Sequence, residues 1–193
     1  MVSLAGDEGD RSTAEGGWLH GRTTLLGCAG SQFSQPMVDG WLDPFAREGV
    51  ANVEQAVVNM VEQQGAVANV GIANVDSLEV DSRFQVLWLS LVHGAVLDWF
   101  RKPLLSSMRA SVRHERHGSF CCHFGDGREE RETLNMENRY LGYVCIVDRN
   151  GLVRWHTHSN QPPSGDDEVS SLARLIRETV SYTHLTLPTK WIV

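Results

Sequence analysis

The sequence predicts an α/β domain, with a central mixed sheet that closes on a β-hairpin and a final helix. Three observations carry this. Apolar and β-branched runs alternate along the chain with stretches of helical period. Near the C-terminus, Arg139 to Asn160, "RYLGYVCIVDRNGLVRWHTHSN", reads as an apolar strand, a tight turn and a return strand. An acidic helix start follows it, with Val169, Leu172, Ala173 and Ile176 at helical spacing.

Residues 1–21 are Gly-rich and polar, and read as a disordered extension. Thr23 to Cys28 is an apolar run suited to a buried strand. Ser34 then offers an N-cap, Pro36 fits a first helical turn, and Met37, Trp41 and Phe45 fall four apart on one face. Pro44 is expected to kink or end that helix. Val53, Ala56, Val57, Met60 and Val61 form a second helical stripe, closed by Gly65, and 66–75 suits a strand. Phe84 to Phe100, "FQVLWLSLVHGAVLDWF", is almost wholly apolar. It is short for a membrane span and is interrupted by His93 and Asp98, so it reads as a core helix closed by Pro103, or else as an interfacial helix or one that docks a hydrophobic client.

Residues 106–138 read as polar and irregular. In the hairpin, Tyr143 to Val147 is apolar on both faces, which places it centrally in a sheet. Asn150-Gly151 is expected to supply two positive φ angles for a tight turn. Asp166, Asp167 and Glu168 then open the last helix at its positive end. The order strand, helix, helix, strand, helix, hairpin, helix is that of a thioredoxin-like domain.

The 193 residues suggest one domain, and 41% apolar content suffices for one core. A formal net charge of −7 gives no support for nucleic-acid binding. The charge is uneven: Asp7, Glu8, Asp10 and Glu15 crowd the N-terminus, while Arg101, Lys102, Arg109, Arg113 and Arg116 crowd 101–117. That basic run is a solvated face, or a surface for an anionic membrane or an acidic partner.

Reactive chemistry is hard to place. A thioredoxin-like enzyme holds its thiolate where the first strand meets the next helix, since the helix dipole lowers the thiol pKa there. Here that place reads Ser31-Gln32-Phe33-Ser34, with serine at both ends of the spacing. The cysteines are Cys28, Cys121, Cys122 and Cys145, none in a C-x-x-C motif. His114, His117, Cys121, Cys122 and His123 have ligand types that suit zinc or copper, at a spacing that matches no common zinc template. They leave open a thiol- or copper-handling function centred on Cys121, Cys122 and His123. No phosphate loop, Ser-His-Asp set or carboxylate pair is found, and no cofactor is expected.

Gly142, Tyr143, Val144, Val147, Asp148, Gly151, Arg154 and Trp155 carry a family resemblance. With the acidic helix start and "SSLARLIRETV", this hairpin resembles the assembly-factor-ten family of the mitochondrial ATP synthase. The resemblance extends more loosely over 23–179, and "HTHSNQPPSG" departs from the family pattern after Trp155. It implies a non-catalytic chaperone on the matrix side of the inner mitochondrial membrane. Such a protein holds newly made subunit a (subunit six) of the membrane sector, and its partners are that subunit and the inner-membrane surface.

Under that reading Trp88, Trp99 and Arg101 are candidate partner contacts, because apolar and basic residues adjoin there. Asp148, Arg154 and Trp155 either form a recognition surface or fix the turn and pack the last helix. Residues 180–189, "VSYTHLTLPT", resemble a sequencing adapter translated in frame. Residues 180–193 are therefore read as a non-native tail, and 22–179 as the assembly-factor domain. No signal core or Arg-rich presequence is visible; either the chain is not imported or its true start lies upstream.

Overall fold

β-strand β2 (Thr23–Ala29) is buried along its whole length, because it lies in the middle of a mixed sheet with apolar layers on both faces. The computed structural model describes residues 2–3, 19, 21–47, 83–92, 100–125, 128–138, 140–159 and 161–181. The other strands are β1 (Val2–Ser3), β3 (Phe84–Val92), β4 (Phe120–Phe124), β5 (Gly142–Val147) and β6 (Val153–Ser159). The helices are α1 (35–47), α2 (Arg101–Ser111), α3 (Arg128–Thr133) and α4 (Asp166–Ser181), with a 3₁₀ turn at His114–Arg116.

The strand order is β1-β4-β3-β2-β5-β6. Strands β2, β3 and β4 run parallel, β5 is antiparallel to β2, and β6 is antiparallel to β5. Within the Gly-rich segment 1–21, Val2–Ser3 pair with Cys121–Cys122, and Leu19 packs on the sheet. The helix expected over 53–64, the strand expected over 66–75, and Trp99 lie outside the described residues.

The α/β class and the C-terminal half follow the sequence pattern. All six residues of β5 are buried, and Val169, Leu172, Ala173 and Ile176 are the buried stripe of α4. Four expectations are corrected. Phe84 to Val92 is a strand, not the start of a core helix. It is an interior strand with an apolar layer on each face, Phe84 and Trp88 on one and Leu87, Leu89 and Leu91 on the other, and such strands are continuously apolar, without the alternation that marks a half-buried one. The segment read as irregular holds α2, the 3₁₀ turn, β4 and α3. Pro103, expected to close a helix, instead sits in the first turn of α2, where its missing N–H costs no intrahelical bond. Nor does Pro44 end α1, which continues to Arg47.

One sheet face carries Leu25, Trp88, Phe120, Cys122, Val144 and Ile146, covered by α1 and α4 with Leu105 and Met108 of α2. The other face carries Leu26, Cys28, Leu87, Leu89, Cys121, Tyr143 and Cys145, covered by Leu134, Met136 and Leu141. At about 1.5–3 kcal/mol for each fully buried large apolar side chain, these two layers are the main stabilising term. Gly142 lets the first turn of α1 approach β5. A Cβ there would lie 2.6 Å from Met37 Sδ and 3.0 Å from the Ser34 carbonyl oxygen. The departing segment after β6 also has a packing role: Pro162 lies against Gly40 of α1, where a Cβ would be 2.6 Å from the Pro162 Cβ.

Candidate functional site

The hairpin turn is organised by one carboxylate. Asp148 follows β5 directly and is 5% exposed. Its Oδ1 accepts the backbone N–H groups of Asn150 and Leu152, both at 2.9 Å, and its Oδ2 accepts Arg154 Nε at 2.7 Å and also Arg154 Nη2. Burial pushes the carboxyl pKa up, but the hydrogen bonds from Leu152, Arg154 and Asn150 and the Arg154 charge outweigh it and hold it below the usual carboxylate range.

The Gly151 N–H donates to the Asp148 carbonyl at 2.9 Å, and the Asp148 N–H donates to the Leu152 carbonyl at 2.9 Å. Gly151 has φ 81°, whereas Asn150 is not in the positive-φ region. The expected two-residue turn with two positive φ angles is thus corrected to a longer turn with a single left-handed residue. Asp148 and Arg154, singled out from sequence, are brought together. Trp155 faces the helical layer and packs on Trp41 of α1, ring centroids 5.8 Å apart. The hairpin tip exposes Leu152 (54%) and Val153 (38%).

A second cluster joins α1, β3 and the 3₁₀ turn. Arg116 Nη1 donates to Asp39 Oδ1 at 2.9 Å, and its Nη2 pairs with Asp43 Oδ1. The guanidinium lies 5.0 Å from the Trp88 ring centroid, and Trp88 Nε1 donates to Asp39 at 3.1 Å. Trp88 is only 2% exposed, so the expected partner contact at this position is corrected. As part of an interior strand it packs the core and seats Arg116, and it offers no face to a partner. Asp39 and Asp43 escaped the sequence reading, since their partner lies far along the chain. Their one signal is an i,i+4 carboxylate pair on α1. Beside this clamp a cleft of about 900 Å³ opens between the start of α1 and α2, lined by Ser31, Gln35, Ser90, Met108, Arg113 and Arg116 among others.

The position of a thioredoxin-like thiolate is filled by two serines bonded to each other. Ser34 Oγ donates to the Ser31 carbonyl at 2.9 Å and accepts the Ser31 N–H at 3.3 Å. Ser34 is fully buried, and its side chain turns back to Ser31 instead of capping the helix as expected; its carbonyl accepts the Val38 N–H.

All four cysteines are buried and free. Burial pushes the Cys121 and Cys145 thiols up to about 12 and Cys122 to about 11, and raises Cys28 well above its ordinary value. Such thiols stay protonated and are poor nucleophiles and ligands. Cys121 and Cys122 lie on opposite faces of β4, so the Cys121-Cys122-His123 run does not converge. Among the described residues no group of three or more His, Cys, Asp or Glu side chains is placed to hold a metal ion. Arg101 opens α2. No helix among the described residues is long and apolar enough to cross a membrane.

These features define an α/β protein whose mixed sheet ends in a carboxylate-locked hairpin and a covering helix. The chain belongs to the family described as "ATP10 protein", whose profile matches residues 18–178, from just before β2 to near the end of α4. It is 33% identical over 75 residues to a protein of Eremothecium gossypii named "Mitochondrial ATPase complex subunit ATP10", across 37% of this chain and 27% of that one. A protein of the same name from Candida glabrata is 23% identical over 164 residues, across 82% of this chain and 48% of the relative. The chain thus spans less than half the length of either relative.

Proposed function

We propose that this protein is a non-catalytic assembly factor of the mitochondrial ATP synthase. In this reading it has a thioredoxin-like scaffold, works on the matrix side of the inner membrane, and holds subunit a of the membrane sector before assembly. The observation that carries the reading is the family match over 18–178, which includes the whole locked hairpin. The names of the two relatives support the mitochondrial ATPase as the setting. The paired serines at the thiolate position and the buried, protonated cysteines support a binding role over a redox one.

The contact with the client is assigned to the hairpin tip and to the start of α2. At the tip, Asp148 holds Arg154 and the exposed Leu152 and Val153 in place; Trp155 anchors the hairpin to α1. Trp99 and Arg101 are the proposed contacts beside α2. Residues 22–179 are the proposed functional domain and 180–193 a non-native tail, consistent with a family match that ends at 178. Val180 nevertheless packs into the core.

The test is crosslinking and co-purification with newly synthesised subunit a in mitochondria, using residues 1–181 behind a mitochondrial presequence. Recovery of subunit a, reduced by charge reversal at Leu152 and Val153, is the expected result. Recovery of other inner-membrane proteins but never subunit a would overturn the client assignment.

A further inference from the structure

The basic flank and the fold together describe a surface that the hairpin does not account for. Residues 101–117 carry Arg101, Lys102, Arg109, Arg113 and Arg116 against the single acid Glu115, in a chain of net charge −7. The structure divides these cations. Arg116 is turned inward and neutralised by Asp39 and Asp43, its side chain only 13% exposed. Lys102, Arg109 and Arg113 are exposed. Lys102 and Arg109, seven apart, lie along one flank of α2, and Arg113 follows just past its C-terminal end, where the chain turns extended.

The helix uses Leu105, Met108 and Val112 to pack on the core. Its outward strip, Pro103, Ser106, Ser107 and Ala110, is exposed, short and uncharged, so nothing bulky keeps a flat surface away. Phe100 stands at the N-cap, 57% exposed, two residues from Lys102. That helix start has no acidic residue and no side-chain cap, so its positive end adds to the attraction for anions.

We infer that α2 is a docking surface for an anionic phospholipid bilayer: it lies flat on the headgroups, with Lys102 and Arg113 meeting lipid phosphates and Phe100 entering the interface. Charge complementarity carries this, since five of the chain's 17 Lys and Arg residues fall within 101–117 against one acid, in a chain of net charge −7. The exposed aromatic beside a lysine at the end of a flat, small-residue strip favours a lipid surface over an acidic protein. It fits the headgroup–acyl boundary. The inference deepens the membrane-side placement proposed above.

The experiment is gradient flotation of the purified chain with vesicles of phosphatidylcholine alone, or of phosphatidylcholine doped with phosphatidylglycerol. The expected result is flotation with the doped vesicles only, lost at high ionic strength. K102E/R113E should lower the bound fraction about tenfold or more, given two reversed charges near the headgroups. F100S should weaken binding without abolishing the dependence on anionic lipid. Lys102, Arg113 and Phe100 are exposed, so circular dichroism of each variant should match the parent. Equal flotation with neutral vesicles, or unchanged flotation of K102E/R113E, would overturn the inference. So would binding to poly-glutamate without binding to any vesicle, which would assign the flank to an acidic protein. No client is present in this assay, so its failure leaves the subunit a reading untouched, and failure of that reading leaves this one standing.

Discussion

Removing the Asp148 carboxylate is the most informative single perturbation. In Asp148→Ala, the Asn150 and Leu152 N–H groups lose acceptors at 2.9 Å, and Arg154 loses its charge-assisted bonds. A net contribution of about 1 kcal/mol for each backbone bond and roughly 1.5–3 kcal/mol for the charged one is the starting point. The Arg154 side chain is 33% exposed and its guanidinium rehydrates, which discounts that last figure. A loss of about 2–3 kcal/mol remains, or roughly 4–12 °C in Tm for a chain of this size.

Asp148→Asn dissects the loss. Both backbone bonds go to Oδ1, which the amide oxygen reproduces, while Oδ2 becomes an NH₂ facing the donors of Arg154. Its cost should be smaller, about 1–2 kcal/mol. Because the folded carboxyl is held below its ordinary pKa, its contribution is complete above the unfolded value near pH 4. It fades as pH falls through the lower folded value, so parent and Asp148→Asn should converge in acid. Urea unfolding followed by circular dichroism measures all of this. A cost under about 0.5 kcal/mol for Asp148→Ala, or additivity of Asp148→Ala with Arg154→Ala, would refute the lock.

Other substitutions test the remaining features. Arg116→Ala should destabilise by about 1–3 kcal/mol and shift Trp88 fluorescence, and Arg116→Lys should recover little, because a single ammonium cannot reproduce the two-carboxylate fork. Gly142→Ala should cost about 1–3 kcal/mol in urea titrations, since its new methyl meets Met37 and the Ser34 backbone. The four thiols, pushed up by burial, should stay unlabelled by iodoacetamide at pH 8 in the folded protein and react fully in denaturant. Rapid labelling of native Cys121 or Cys122 would reopen the thiol-handling reading.

How much of this was legible in the sequence depended on how local the cause was. The hairpin and α4 were readable because β5 sits next to its own turn and return strand, and α4 has one buried stripe. The role of Asp148 stayed open, since turn-fixing and recognition ask for the same residue. β3 was misread because burial on both faces erases the period that separates strand from helix. β4, "FCCHF", is too short and too close to polar turns to stand out. The Arg116 clamp was out of reach: its carboxylates lie on α1, and only the folded sheet brings Arg116 to Asp39 and Asp43.

The central position of β5 has a consequence for how the chain acquires its shape. Thr24 of β2 pairs with Val147, so the middle of the sheet is completed by a strand that leaves the ribosome long after β2. Until then β2 offers an open edge of unpaired backbone groups, the kind of surface that pairs with the wrong chain. A pairing this remote is slow to find because the intervening loop must first be closed. The rate-limiting step of folding is therefore expected to be insertion of the finished hairpin beside β2. A chain that stops before Gly142 should remain a collapsed, aggregation-prone species, however intact its first helix.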